Sequence, residues 1–179
     1  KLQVGLGITE VPYLLSDMAD DAIAVLDHLS IPSAVVMGAS MGGMIAQHIA
    51  ATYGDRVHSM TSIMSSSGAR GLPGPDPEIR KRLMARRPAN PTRDEAIKLG
   101  VEAIRQISYP DPARAPDAFE TMAARAYDRA YDPSGFRRQL LAIIADGSRV
   151  DMLKRIKVPT LVVHGKADAL VPWQCSEDI

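Results

Sequence analysis

Ala34-Val35-Val36-Met37-Gly38-Ala39-Ser40-Met41-Gly42-Gly43 is the stretch on which the reading of this chain turns. A short apolar run rich in β-branched residues leads into Gly-x-Ser-x-Gly, and the helix-patterned Met44-Ile45-Ala46-Gln47-His48-Ile49-Ala50 follows. Strand, tight turn with a central serine, and helix are the context that makes the five-residue pattern a nucleophile elbow. The reason is steric. Such a turn strains the backbone of its central residue, so the residues two positions either side must lack a Cβ for strand and helix to pass closely. Gly38 and Gly42 are expected to meet that need, and Gly43 to let the helix start tight against the sheet. Ser40 would then stand above the sheet edge at the positive end of the helix, where its Oγ can attack a carbonyl. The competing reading is a strand-to-helix turn whose serine only caps the helix.

Working outward, Ser16 or a near neighbour is expected to cap a helix to about Leu29, with Met18, Ala22, Val25, Leu26 and Leu29 on one face. Lys1 to Pro12, with no clear period, reads as a connecting loop. Beyond the elbow helix, Tyr53-Gly54-Asp55-Arg56 stops it, and Val57 to Met64 is the next strand. Helix, strand, helix, strand at this spacing implies right-handed crossovers and a parallel sheet. From Gly71 to Pro91 prolines leave room for one short helix around 78–86. Helical periods follow over about 93–107, 116–130 and 134–145. Residues 69–145 therefore read as a helical insertion over the carboxyl edge of the sheet, with 1–68 and 146–179 forming the α/β core. Lys157 to Gly165 reads as a strand buried on both faces, apolar throughout 161–163. The turn that follows carries Asp168 at the carboxyl edge, where open α/β sheets bind ligands.

The 179 residues suffice for one domain with a substantial core. Basic and acidic residues balance at 21 each, so nothing points to nucleic acid or an acidic membrane surface as a partner. No apolar run approaches the ~20 residues that span a bilayer. The single cysteine, Cys175, excludes an internal disulfide framework and suits a reducing, cytoplasmic compartment. With Lys1 first and Ile179 closing what reads as the opening of a helix, the chain is expected to be an internal part of a longer protein.

Gly38-Ala39-Ser40-Met41-Gly42-Gly43 together with His164-Gly165-Lys166-Ala167-Asp168-Ala169-Leu170-Val171-Pro172 resembles the α/β-hydrolase superfamily over essentially the whole chain. The first segment matches its nucleophile elbow and the second its acid-bearing loop after a late strand. The helical insertion falls at the family's usual cap position. Pro12–Asp21 and Ser59–Gly68 most resemble the branch that contains aclacinomycin methylesterase and related carboxylic-ester hydrolases. The resemblance implies a mostly parallel sheet with flanking helices, a serine nucleophile, a small-molecule ester substrate and no cofactor.

The chemistry can be argued beside the resemblance. A serine hydroxyl needs an imidazole base oriented by a carboxylate. Asp168 follows a strand and lies in the order Ser…Asp…His, although an Asp in a turn can also serve only to accept backbone N–H bonds. Some members of the fold place the acid after the strand that follows the nucleophile helix; here that position reads Ser65-Ser66-Ser67 and holds no carboxylate. The backbone N–H of Met41, directly after Ser40, would be one oxyanion donor. No histidine follows Asp168, and His28, His48, His58 and His164 each read as structural. The base and the second oxyanion donor are thus expected outside the chain. No His, Cys and Asp cluster has metal-ligand spacing. Perhydrolysis, acyl transfer or C–C hydrolysis by the same triad, or a non-catalytic binding scaffold, are the alternatives.

Overall fold

The computed structural model describes residues 10–83, 85, 88 and 90–179, so most of the expected N-terminal loop lies outside the described residues. Helix α1 (Leu15–His28) turns Leu15, Ala19 and Ile23 inward at four-residue spacing. Met18, Ala22 and Leu26 are partly buried beside that stripe, whereas Val25 and Leu29 are exposed. The buried stripe is therefore rotated from the expected face, because 3.6 residues per turn carries positions 25 and 29 round to solvent. The N-cap of α1 is Leu14, a near neighbour of Ser16. The helix itself starts at Leu15, and the Leu14 N–H donates to Asp17 Oδ2 at 2.8 Å.

Strands β1 (Ala34–Ala39), β2 (Val57–Ile63) and β3 (Thr160–Val163) form a parallel sheet in the order β1-β2-β3. Val36 pairs Met60, Ala39 pairs Ile63, and Ile63 pairs Val163, so the three strands end level at the carboxyl edge. Helix α2 (Met41–Thr52) follows β1 directly, and a 3₁₀ turn at Gly54–Arg56 returns the chain to β2. Ala46 and Ala50 of α2 pack on Met60, with Val36, Ile156 and Val158 closing round them. Small residues on α2 let it lie close to the sheet. On its far side Ile49 joins Ala19, Ile23 and Val57, which ties α1 to the same layer.

The opposite face of the sheet is open. Val35 is 65% and Met37 70% exposed on β1, and Leu161 58% and Val163 44% on β3. The expectation of a two-sided buried strand at 161–163 is corrected: among the described residues, helices cover one face only, and β3 has a neighbour on one edge only. The apolar composition is that of a doubly covered strand; the burial is not.

Between β2 and β3 the described residues are helical or irregular, in α3 (Pro77–Leu83), α4 (Arg93–Ile107), α5 (Ala118–Arg129), α6 (Pro133–Asp146) and α7 (Val150–Leu153). Thr92 and Glu95 cap α4 reciprocally. Helices α4 and α5 pack on each other through Gly100 and Ala123, and Arg93 grips Asp128 with two bonds of 2.9 and 2.7 Å. Helix α6 behaves differently. Its Ala142 is fully buried with Leu15 of α1 and Met44 of α2, so it packs on the helical layer over the sheet. A last short helix, α8 (Gln174–Glu177), follows the turn that carries Asp168. No helix among the described residues is long and apolar enough to cross a membrane.

Candidate active site

Ser40 occupies the turn between β1 and α2 with φ 54° and ψ −119°, a region that residues with a Cβ rarely enter. A capping serine has extended backbone and bonds the helix N–H groups through its side chain. Ser40 does neither: it makes no side-chain cap bond, so the capping reading is excluded by geometry. What holds it is backbone. Its N–H donates to the Ile63 carbonyl at 2.8 Å, and its carbonyl accepts from Gly43 N at 2.9 Å, Met44 N at 3.2 Å and Ser65 Oγ at 2.9 Å.

The glycines divide the work differently from the expectation. A Cβ on Gly38 would lie 2.0 Å from the Gly42 carbonyl oxygen, and one on Gly43 2.7 Å from Ser65 Cβ. A Cβ on Gly42 would meet nothing within 4 Å. Gly38 and Gly43 are thus the two positions where strand and helix leave no room, and Gly42 supplies the backbone that Gly38 must clear. Met41 opens α2, so its N–H is among the four at a helix start that no intrahelical carbonyl meets.

Asp168 sits in the turn after β3. Its Oδ1 accepts from Leu170 N and Val171 N at 2.9 Å each, while Oδ2 lies 3.4 Å from His164 Nε2. Because β2 intervenes, the serine and acid turns leave strands that are not neighbours but lie two spacings apart, about 9.6 Å.

None of the four imidazoles bonds Ser40, and only His164 lies at the acid turn. His28 is exposed at the end of α1, and His58 Nε2 bonds Ser33 Oγ near the opposite end of β2. His48 Nε2 donates to Asp146 Oδ1 at 2.7 Å, about 12 Å along α2 from Ser40. His164 is bonded at both ring nitrogens, Nδ1 to Ser176 Oγ at 2.5 Å and Nε2 to the Val171 carbonyl at 2.7 Å.

Sequence reasoning passed over the residues behind the turn. Ser65-Ser66-Ser67, noted only for holding no carboxylate, is a junction. Ser65 bonds the Ser40 carbonyl, the Ser66 carbonyl accepts from Arg149 Nη2 at 2.7 Å and Gln47 Nε2 at 3.2 Å, and Ser67 Oγ donates to the Asp178 carboxylate. Arg149, 3% exposed, also bonds Gln47 Oε1 at 2.9 Å and pairs with Asp146. Burial pushes the Asp146 carboxyl up, but hydrogen bonds from His48 and Arg149 outweigh it and hold the group below the usual carboxylate range. Burial raises the Cys175 thiol. Nothing in a run of serines or a lone arginine marks these partners in sequence.

Known proteins extend this picture. The carbamate hydrolase RutD of Pantoea ananatis, an activity its name assigns provisionally, is 28% identical over 99% of this chain and 63% of its own length. 3-Oxoadipate enol-lactonase 2 of Acinetobacter baylyi is 27% identical over 88% of this chain and 55% of its own. Among solved structures, a thermophilic esterase from Thermogutta terrifontis superposes with a TM-score of 0.65 at 25% identity, over 95% of this chain and 60% of that one. The chain thus spans about three fifths of the length of these proteins. A profile described as the alpha/beta hydrolase fold matches residues 11–179, the span that contains the parallel sheet, the elbow and the acid turn, and the chain belongs to that family.

Proposed function

We propose that the protein is a serine hydrolase cleaving a small carboxylic ester. Ser40 is the nucleophile, the Met41 N–H an oxyanion donor, and Asp168 the acid that orients a histidine supplied from outside these 179 residues. The Ser40 proton passes to that imidazole as Oγ bonds the ester carbon, and the carbonyl oxygen takes its negative charge beside the Met41 N–H. The alcohol leaves with the proton, and water then releases the acid from Ser40. Residues 69–145, with the α4–α5 pair, serve as the cap that shapes the substrate pocket.

The observation that carries this reading is the Ser40 backbone at φ 54° and ψ −119°, held between a strand end and a helix start with no capping bond. A cap needs no such strain; a presented nucleophile does. Two relatives are named for ester chemistry, an enol-lactonase and an esterase, which favours an ester over other carbonyl substrates. The test is fluorophosphonate labelling followed by peptide mass spectrometry, alongside turnover of short p-nitrophenyl esters and of a simple carbamate. Label at Ser40 with ester turnover is the expected result. Label elsewhere, or an active protein left unlabelled, overturns the assignment; preference for the carbamate moves the substrate class.

A further inference from the structure

We infer that Ser65 and Ser176 are positioning residues that lock the acid turn to the nucleophile turn through one buried hydrogen-bond chain, on the reading of Ser40 and Asp168 given above. The turns they join leave β1 and β3, which do not touch, because β2 lies between. The end of β2 and the loop leaving it therefore lie between the two turns: Met64 begins that loop, its N–H donating to the Val163 carbonyl at 2.8 Å, and Ser65 follows. Its Oγ donates to the Ser40 carbonyl at 2.9 Å. That carbonyl direction defines the unusual ψ of Ser40, so the bond acts on the strained residue itself. The carbonyl of Ser65 accepts from Ser176 Oγ at 3.2 Å. Ser176 has a single proton, given to that carbonyl, so its Oγ accepts from His164 Nδ1 at 2.5 Å, and His164 Nε2 lies 3.4 Å from Asp168 Oδ2 and 2.7 Å from the Val171 carbonyl in the same turn.

Burial makes this chain stiff. Ser65 is 0% and Ser176 6% exposed, and the His164 side chain 5%. Hydrogen bonds shielded from water hold their geometry more strongly than exposed ones. Burial alone does not dictate the bonds, and the protein contains its own control. Ser62 is also 0% exposed and also faces Gly43, yet among the described residues its Oγ has no partner. Two hydroxyls flank the same glycine, and only the one reaching the Ser40 carbonyl is bonded.

The experiment compares Ser65→Ala, Ser176→Ala, their double variant, Ser176→Thr and Ser62→Ala in the protein. Its readouts are kcat and KM on a p-nitrophenyl ester, melting temperature, and amide hydrogen exchange over residues 41–43. Ser65→Ala and Ser176→Ala should each lower kcat on the order of tenfold with KM nearly unchanged, because small misplacement of reacting groups costs rate more than binding. Their double variant should cost no more than the worse single, Ser176→Thr should restore the rate, and Ser62→Ala should match the parent. Exchange over 41–43 should quicken in Ser65→Ala and Ser176→Ala but not in Ser62→Ala. Effects that multiply in the double variant, or exchange that Ser176→Ala leaves unchanged, overturn the lock. If no form turns over ester, the hydrolase reading fails, and the exchange comparison still decides whether the serines hold the turn.

Discussion

Ser40 holds a backbone conformation that costs a residue bearing a Cβ about 1–3 kcal/mol. Glycine carries no such penalty. Ser40→Gly should therefore melt higher than Ser40→Ala, both variants being inactive; calorimetry giving equal melting temperatures would mean the turn is relaxed. The flanking glycines make a matched pair. Gly38→Ala places a Cβ 2.0 Å from the Gly42 carbonyl oxygen and should prevent stable folding, whereas Gly42→Ala meets open space. The latter should stabilise α2 by up to about 1 kcal/mol, the helical advantage of Ala over Gly. Thermal unfolding of the two variants checks both signs. At Asp168 an asparagine keeps an Oδ1 acceptor for the Leu170 and Val171 N–H groups, so the turn should stand while the charge is lost. Asp168→Asn is expected to lower kcat by roughly 10³–10⁴ at unchanged melting temperature, as removal of a triad acid does. A loss under about tenfold in steady-state assays would take the orienting role away from Asp168.

Helix α2 serves two ends of the molecule. Its first turn frames Ser40, and its middle carries Gln47 and His48 into the buried network with Asp146, Arg149 and the Ser66 carbonyl. Through Arg149 that network clamps α2, the loop after β2 and the end of α6 together. Asp146 is held below the usual carboxylate range, so its contribution is fully present above its unfolded value near pH 4 and is lost as pH falls through the lower folded value. The parent protein should accordingly lose stability on acidification below about pH 4. Asp146→Asn leaves the Arg149 cation buried without its carboxylate and should cost about 3–5 kcal/mol near neutral pH, with a flatter acid limb. Urea unfolding at pH 7, 5 and 3 reads both effects; parallel curves for the two proteins would place the acid sensitivity elsewhere.

At the scale of the molecule, the sheet is covered on one face by α2 and α1, with α6 packed on that helical layer, and among the described residues it is open on the other. Val35, Met37, Leu161 and Val163 line the open face, and among the described residues β1 has no partner on its outer edge. Contiguous exposed apolar surface and free strand edges both drive association. The 179-residue chain on its own should self-associate as concentration rises. Met37→Lys with Leu161→Lys should shift it toward monomer in size-exclusion chromatography with light scattering, without lowering the melting temperature, since both side chains face solvent. A monodisperse parent chain, or a double variant that aggregates equally, would locate the sticky surface elsewhere.

Ten residues of sequence determined the strand, turn and helix around Ser40, because the demand that Gly38 clear the next turn is met within the segment itself. Amphipathic periods did the same for α4, whose bounds match the 93–107 read from sequence, since such a pattern needs no distant partner to be recognised. The tertiary structure alone decided the strand order that puts β2 between the two motifs, the burial of β3 on one side only, and the polar partners behind the elbow. Arg149 meets Gln47 across 102 positions, and Ser176 meets Ser65 across 111. A serine or an arginine has the same local pattern whether it faces water or the interior. Its hydrogen bonds are set by which strands lie side by side, and that is a property of the whole sheet.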